Sequence, residues 1–156
     1  MSLRALTLAA FLLMLEAGPA RSQTADPTGW WLDETQRGAI LIETCGDKLC
    51  GSIRWLKEPI DPKTGKPKID NHNDDPKLAV RPLCGLPILW DFVPDDPGEW
   101  GGGRIYDPES GNTYKSHMEL RADGTLKVRG YIGISLLGRS QVWTRPTTPP
   151  PDCTQG

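Results

Sequence analysis

The chain has 156 residues, which suits a single domain. Its 18 basic and 20 acidic side chains leave a formal charge of -2, a balance that gives no long-range attraction to nucleic acid or to an anionic membrane. Glycine at 17 and proline at 15 interrupt helices too often for a helical protein, whereas six tryptophans, from Trp30 to Trp143, need packed surfaces and argue against disorder.

Arg4, then the uninterrupted apolar run Leu6 to Leu15, then Gly18, Pro19 and Ala20 have the form of a secretory signal peptide. The expected break follows Ala20 or Ser22, so residues 1–20 are read as a leader and the protein as periplasmic or secreted. The run is too short to span a bilayer, and no later apolar stretch is longer, so no transmembrane anchor is expected in the mature chain. Arg4 and Glu16 leave with the leader, and the balance of charge is unchanged.

Period-two alternation between turn signals then marks the strands. Gly29 to Leu32 comes first, with Trp30 and Trp31 on opposite faces. Ala39 to Thr44 places Ile40 and Ile42 on one face. Leu49 to Leu56 is expected to set Ile53 and Trp55 against Arg54. Leu86 to Phe92 and Gly102 to Tyr106 are the fourth and fifth strands. Thr113 to Arg121 is the clearest: Tyr114, Ser116, Met118 and Leu120 alternate with Lys115, His117, Glu119 and Arg121, as in a sheet with one wet face. Asp123-Gly124 is a strong hairpin signal. Leu126 to Ile132 follows, with Leu126, Val128 and Ile132 expected inside, and Gly130 and Gly133 marking a bend or a close backbone approach. Arg139 to Arg145 is the eighth strand. No segment has helical periodicity.

Eight short antiparallel strands favour an all-β, up-and-down barrel, because closure removes exposed edges; a β-sandwich is the competing architecture. A barrel of this size is either filled by side chains or holds one small ligand. Lys57 to Arg81 interrupts the regularity with four prolines and many Asp and Asn residues; connections this long are usually functional or disordered. Residues 146–156 form a proline-rich tail, expected to be extended up to Cys153.

Four cysteines in an oxidising compartment read as two disulfides. Cys45 and Cys50 bracket a turn-like stretch and can pair across it, which leaves Cys84 for Cys153. The spacings do not suit a zinc site.

Several strings together resemble a known family: Ile42-Glu43-Thr44-Cys45-Gly46-Asp47 running into Leu49-Cys50-Gly51, then Trp55-Leu56-Lys57 and Thr64-Gly65-Lys66-Pro67-Lys68. Gly102-Gly103-Arg104-Ile105-Tyr106-Asp107-Pro108, Leu126 to Gly133, Leu137-Gly138-Arg139 and Trp143-Thr144-Arg145 extend the likeness. The chain resembles, from about Gly29 to Arg145, the exported bacterial proteins of the domain of unknown function twenty-one forty-seven family. The resemblance implies a lipocalin-like (calycin-type) barrel and supplies no catalytic residues. Cys84 and Cys153 are not among the positions that carry the resemblance, so their pairing rests on chemistry alone.

Specific chemistry is sparse. Asp70, His72, Asp74 and Asp75 form an acidic cluster, but an EF-hand counted from Asp70 would need Gly and Glu where Asp75 and Arg81 stand, so a solvated turn with Asx hydrogen bonds is expected. Asp107 beside Arg104 and Glu109 reads as a hairpin turn before it reads as a glycosidase carboxylate pair. His117 is expected on the wet face with no visible partner. No catalytic residue, metal site or cofactor follows.

The leading expectation is a small apolar or amphipathic ligand in the barrel mouth, lined by Trp55, Trp90, Tyr114, Met118 and Val128. Arg104, Arg129 and Arg139 would stand at the rim for an anionic head group. The alternative is an envelope interaction or stress protein acting through residues 57–81, with no ligand cavity. A hydrolase using His117 and Asp107 comes third.

Overall fold

The computed structural model describes residues 25–134 and 137–155; the expected leader lies outside them. Eight strands form one antiparallel sheet in chain order: β1 (Gly29–Leu32), β2 (Gly38–Cys45), β3 (Lys48–Leu56), β4 (Pro87–Pro94), β5 (Glu99–Asp107), β6 (Asn112–Leu120), β7 (Leu126–Tyr131) and β8 (Gly138–Trp143). Each strand pairs with the next, so the architecture is an up-and-down barrel and not a sandwich.

Closure is made at one rung. Leu32 N–H donates to the Thr144 carbonyl at 2.8 Å, and Thr144 N–H returns a bond to Leu32 at 3.1 Å. The short β1 ends there, so β8 from Gly138 to Val142 rises beyond it without a strand on its outer side. Closure was expected to remove every edge; here it leaves this one, because β1 is only four residues long.

The interior follows the alternation. Met118 pairs with Val128 and Leu126 with Trp143, and all four are buried. Trp31, Ile40, Ile42, Leu89, Phe92 and Trp100 complete one continuous core. On β5, Gly103 faces this core because a Cβ there would overlap the Phe92 ring.

Two positions depart from the sequence pattern. Ala39 and its neighbour Ile40 pair with Trp55 and Ile53, so a bulge at Arg54 puts Trp55 on the face of Ala39 and not on that of Ile53. β7 ends at Tyr131, and Ile132, expected inside, is 70% exposed.

The chain direction gives the barrel two unlike ends. One carries residues 25–28, the β2–β3, β4–β5 and β6–β7 turns, and the exit of β8. There the Arg145 guanidinium lies 4.0 Å over the Trp31 ring. Its two amino groups donate to the Thr28 and Asp26 carbonyls at 2.7 and 3.0 Å, while Trp31 Nε1 donates to the Pro27 carbonyl at 2.8 Å. The Thr28 N–H and hydroxyl, with Arg145 adding to them, hold the Asp26 carboxyl below its usual range. This end is shut by the N-terminal segment.

The opposite end carries the β1–β2 turn, the long β3–β4 connection, the β5–β6 turn and the β7–β8 connection. Both disulfides form as expected, with Cα separations of 5.8 Å for Cys45–Cys50 and 6.0 Å for Cys84–Cys153. The second ties the tail to the start of β4. Cys153 N–H donates to the Arg54 carbonyl at 2.8 Å, and Asp152 accepts from the Arg54 side chain at 3.0 Å. Burial pushes the Asp152 carboxyl up, but bonds from Thr154 and Arg54 outweigh it and hold the group low.

Candidate functional site

The long connection is the first feature that shapes the open end. It is neither disordered nor merely solvated. Bridges at Ile60–Pro67 and Ile69–Pro82 fold it on itself, and Asp70 anchors it. The Asp70 carboxylate is fully buried and accepts from Tyr106 Oη at 2.6 Å, Arg81 Nη2 at 2.9 Å and Asn73 Nδ2 at 3.0 Å. Every one of these donors offers a proton to a carboxylate that has lost its water, which is what makes the burial tolerable. Burial, and then the bond to Asp70, push the Tyr106 phenol above its usual range.

The solvated turn expected at residues 70–75 is therefore correct only in part. Asn73 and Asp75 do cap backbone N–H groups two residues on, at Asp75 and Lys77. Asp70 instead belongs to the interior. Its partner Tyr106 is 36 residues distant, so local sequence gave no sign of the burial. Gly111, with φ of 72°, lets the β5–β6 turn meet the connection: a Cβ there would collide with the His72 carbonyl. Among the described residues no group of His, Cys, Asp or Glu is arranged to hold a metal ion.

Beneath this rim one glycine permits a close approach of three strands. A Cβ on Gly130 would lie 3.2 Å from Ile105 Cγ2 and 3.4 Å from Tyr114 Cβ. Ile105 pairs with Tyr114 across β5 and β6, and both are only half-buried although they face the core side of the sheet. Gly130 is thus where both side chains converge, at the upper limit of the packed interior. Tyr114 Oη lies 3.4 Å from Ser110 Oγ of the β5–β6 turn. Above them the β7–β8 connection exposes Ile132, Ile134 and Leu137. All exposed large apolar side chains among the described residues, Val93 excepted, belong to this connection or to the β3–β4 one.

The residues anticipated for a ligand occupy different environments. Met118 and Val128 face each other deep in the packed core. Tyr114 stands above them near Gly130. Trp90 pairs with Arg104 on the face opposite to Leu89 and Ile105, so this pair is outside. Trp55 shares the face of Ala39 through the bulge. Arg129 lies on the outer face of β7 and donates to Ser140 Oγ at 3.0 Å. Ile105 and Gly130 were absent from the anticipated set because neither carries a conspicuous functional group.

Arg129 borders a shallow depression of about 500 Å³ with Lys127, Tyr131, Ser140, His117 and Asp95. Its floor is the Gly101-Gly102 bulge of β5. His117 has a partner after all: its Nε2 lies 3.0 Å from Glu99 Oε2. The two are 18 residues apart and become diagonal neighbours because Glu99 pairs with Glu119, a register that alternation alone does not disclose. Asp107 is held within its own turn by the Glu109 N–H and the Ser110 hydroxyl, as the hairpin reading expected.

Comparison with known proteins adds two findings. The family described as "Uncharacterized protein conserved in bacteria (DUF2147)" matches residues 29–145. A solved structure, that of protein HP1028 from the human pathogen Helicobacter pylori, described as belonging to the lipocalin family, superposes with a TM-score of 0.67. The match covers 80% of this chain and 85% of that one at 20% identity, so the likeness is one of fold. No curated protein matches the sequence.

Proposed function

The chain belongs to the bacterial DUF2147 family, and from that premise we propose that it is an exported binding protein whose open end receives a small apolar or amphipathic ligand. The carrying observation is the convergence of half-buried Ile105 and Tyr114 on Gly130 beneath the exposed Ile132, Ile134 and Leu137. Apolar surface left half-covered at the mouth of a packed barrel is where such a ligand gains most from leaving water. Met118 and Val128 form the floor, and Tyr114 supplies both a ring and a hydroxyl. The two disulfides support export, since such bridges persist in oxidising compartments. Residues 1–20 would be the leader that directs it.

Native mass spectrometry of protein recovered from outside the cytoplasm, with a fatty-acid panel read by tryptophan fluorescence, tests this reading. A bound small molecule or a saturable change is expected, and Gly130→Val should abolish it by displacing the Ile105 and Tyr114 side chains that pack against this position. Protein that carries nothing and responds to no member of the panel would sink the idea.

A second reading is favoured by one observation: the Asp70 anchor presents Ile60 and Val80, the latter 67% exposed, on a fixed scaffold. The 57–81 segment would then be a protein-interaction surface. Replacing it with a short Gly-Ser linker should abolish capture of a partner, and a partner retained by that variant would exclude this reading.

A further inference from the structure

We propose that the β7–β8 end of the barrel docks on the surface of an anionic phospholipid bilayer. Ile132, Ile134 and Leu137 are exposed by 70%, 61% and 69%, far more than isolated apolar side chains need be. They follow directly on Tyr131, whose ring and hydroxyl suit the boundary between acyl chains and water.

The chemistry around them selects the occupant. Arg104 pairs with Lys115, and Lys115 with Tyr131, so two cations and the tyrosine form one row across β5, β6 and β7. Tyr131 of that row adjoins Ile132 in the chain, and Arg139, which pairs with Gly130, stands two residues beyond Leu137. Arg104, Lys115 and Arg139 make no ion pair among the described residues. Of the carboxylates at this end, Asp107 is held within its turn by the Glu109 N–H and the Ser110 hydroxyl, and Asp70 is buried against Arg81 and Tyr106.

Exposed apolar side chains that adjoin a row of cations without ion pairs match the layered order of a membrane surface, with phosphates outside and acyl chains beneath. A second protein copy would bring the same cations against themselves. The overall charge of -2 does not oppose this, because attraction to headgroups acts over about 8 Å at physiological salt and is set by the local row.

The test uses the intact protein in flotation with vesicles of phosphatidylcholine alone or mixed with phosphatidylglycerol. Binding to the mixed vesicles only, weakened by salt, is expected. Arg104→Gln, Lys115→Gln and Arg139→Gln should each weaken it about fivefold, and Ile134→Ser with Leu137→Ser should abolish it. Because the native cysteines are all paired, Ile134→Cys can be labelled with an environment-sensitive dye, which should shift to the blue on vesicles. Equal binding to both vesicles, binding that survives the double serine variant, or a wild-type dimer that this variant converts to monomer overturns the proposal. Gly130→Val separates it from the ligand reading: membrane binding should persist where ligand binding is lost.

Discussion

The two ends of the barrel treat the same residue types in opposite ways. At the shut end Trp31, Trp100 and Trp143 are buried, and Arg145 clamps the N-terminal segment across the Trp31 ring. At the open end Ile132, Ile134 and Leu137 face water, and Ile105 and Tyr114 are only half covered. Apolar side chains at the first end secure the fold. Those at the second make little contact with their own chain, and this is why we assign them to contacts outside it.

That contrast is sharpest in a pair of truncations read by urea denaturation. Trp31→Ala removes a fully buried ring and its cation partner, and should cost about 4 kcal/mol. Ile134→Ser removes an exposed side chain and should stay within about 0.5 kcal/mol. A large loss at Ile134 would mean that the open end is part of the core.

Next in size come the disulfides. The Cys84–Cys153 bridge closes a separation of 69 residues, against 5 for Cys45–Cys50. Chain-closure entropy gives about 4 kcal/mol for the first and about 2 for the second, so replacing each pair by alanine should reproduce that order. The reverse order would show that the tail is held by Asp152 and Arg54 with little help from its bridge.

Smaller still is an alkaline effect from the Asp70 anchor. The Tyr106 phenol is raised in the folded state, so its contribution is complete below the unfolded value of about 10 and is lost as pH rises through the folded one. Tyr106→Phe should lower stability at neutral pH by about 1 kcal/mol and remove that part of the alkaline loss. An unchanged alkaline profile would mean that the phenol is not protected from water.

Much of this molecule was readable from alternation. All eight strands appear in the expected order, and Tyr114, Ser116 and Met118 take one face of β6 as expected, because a wet face and a dry face leave a strict pattern. What escaped was whatever breaks the period. Trp55 was placed beside Ile53 because a bulge inserts one residue without changing composition. Ile132 was placed inside because its parity continues after the strand has ended. The site was less legible: Gly130 matters for what it lacks, and Asp70 and His117 owe their surroundings to Tyr106 and Glu99, far along the chain.

The most direct test of one end being for stability and the other for binding is amide chemical-shift mapping during titration with lauric acid below its micelle concentration. The account predicts saturable shifts at Ile105, Tyr114, Gly130 and Ile132, with Trp31, Leu126 and Trp143 unmoved. Shifts centred on the shut end, or on the outer depression around His117 and Arg129, would contradict it.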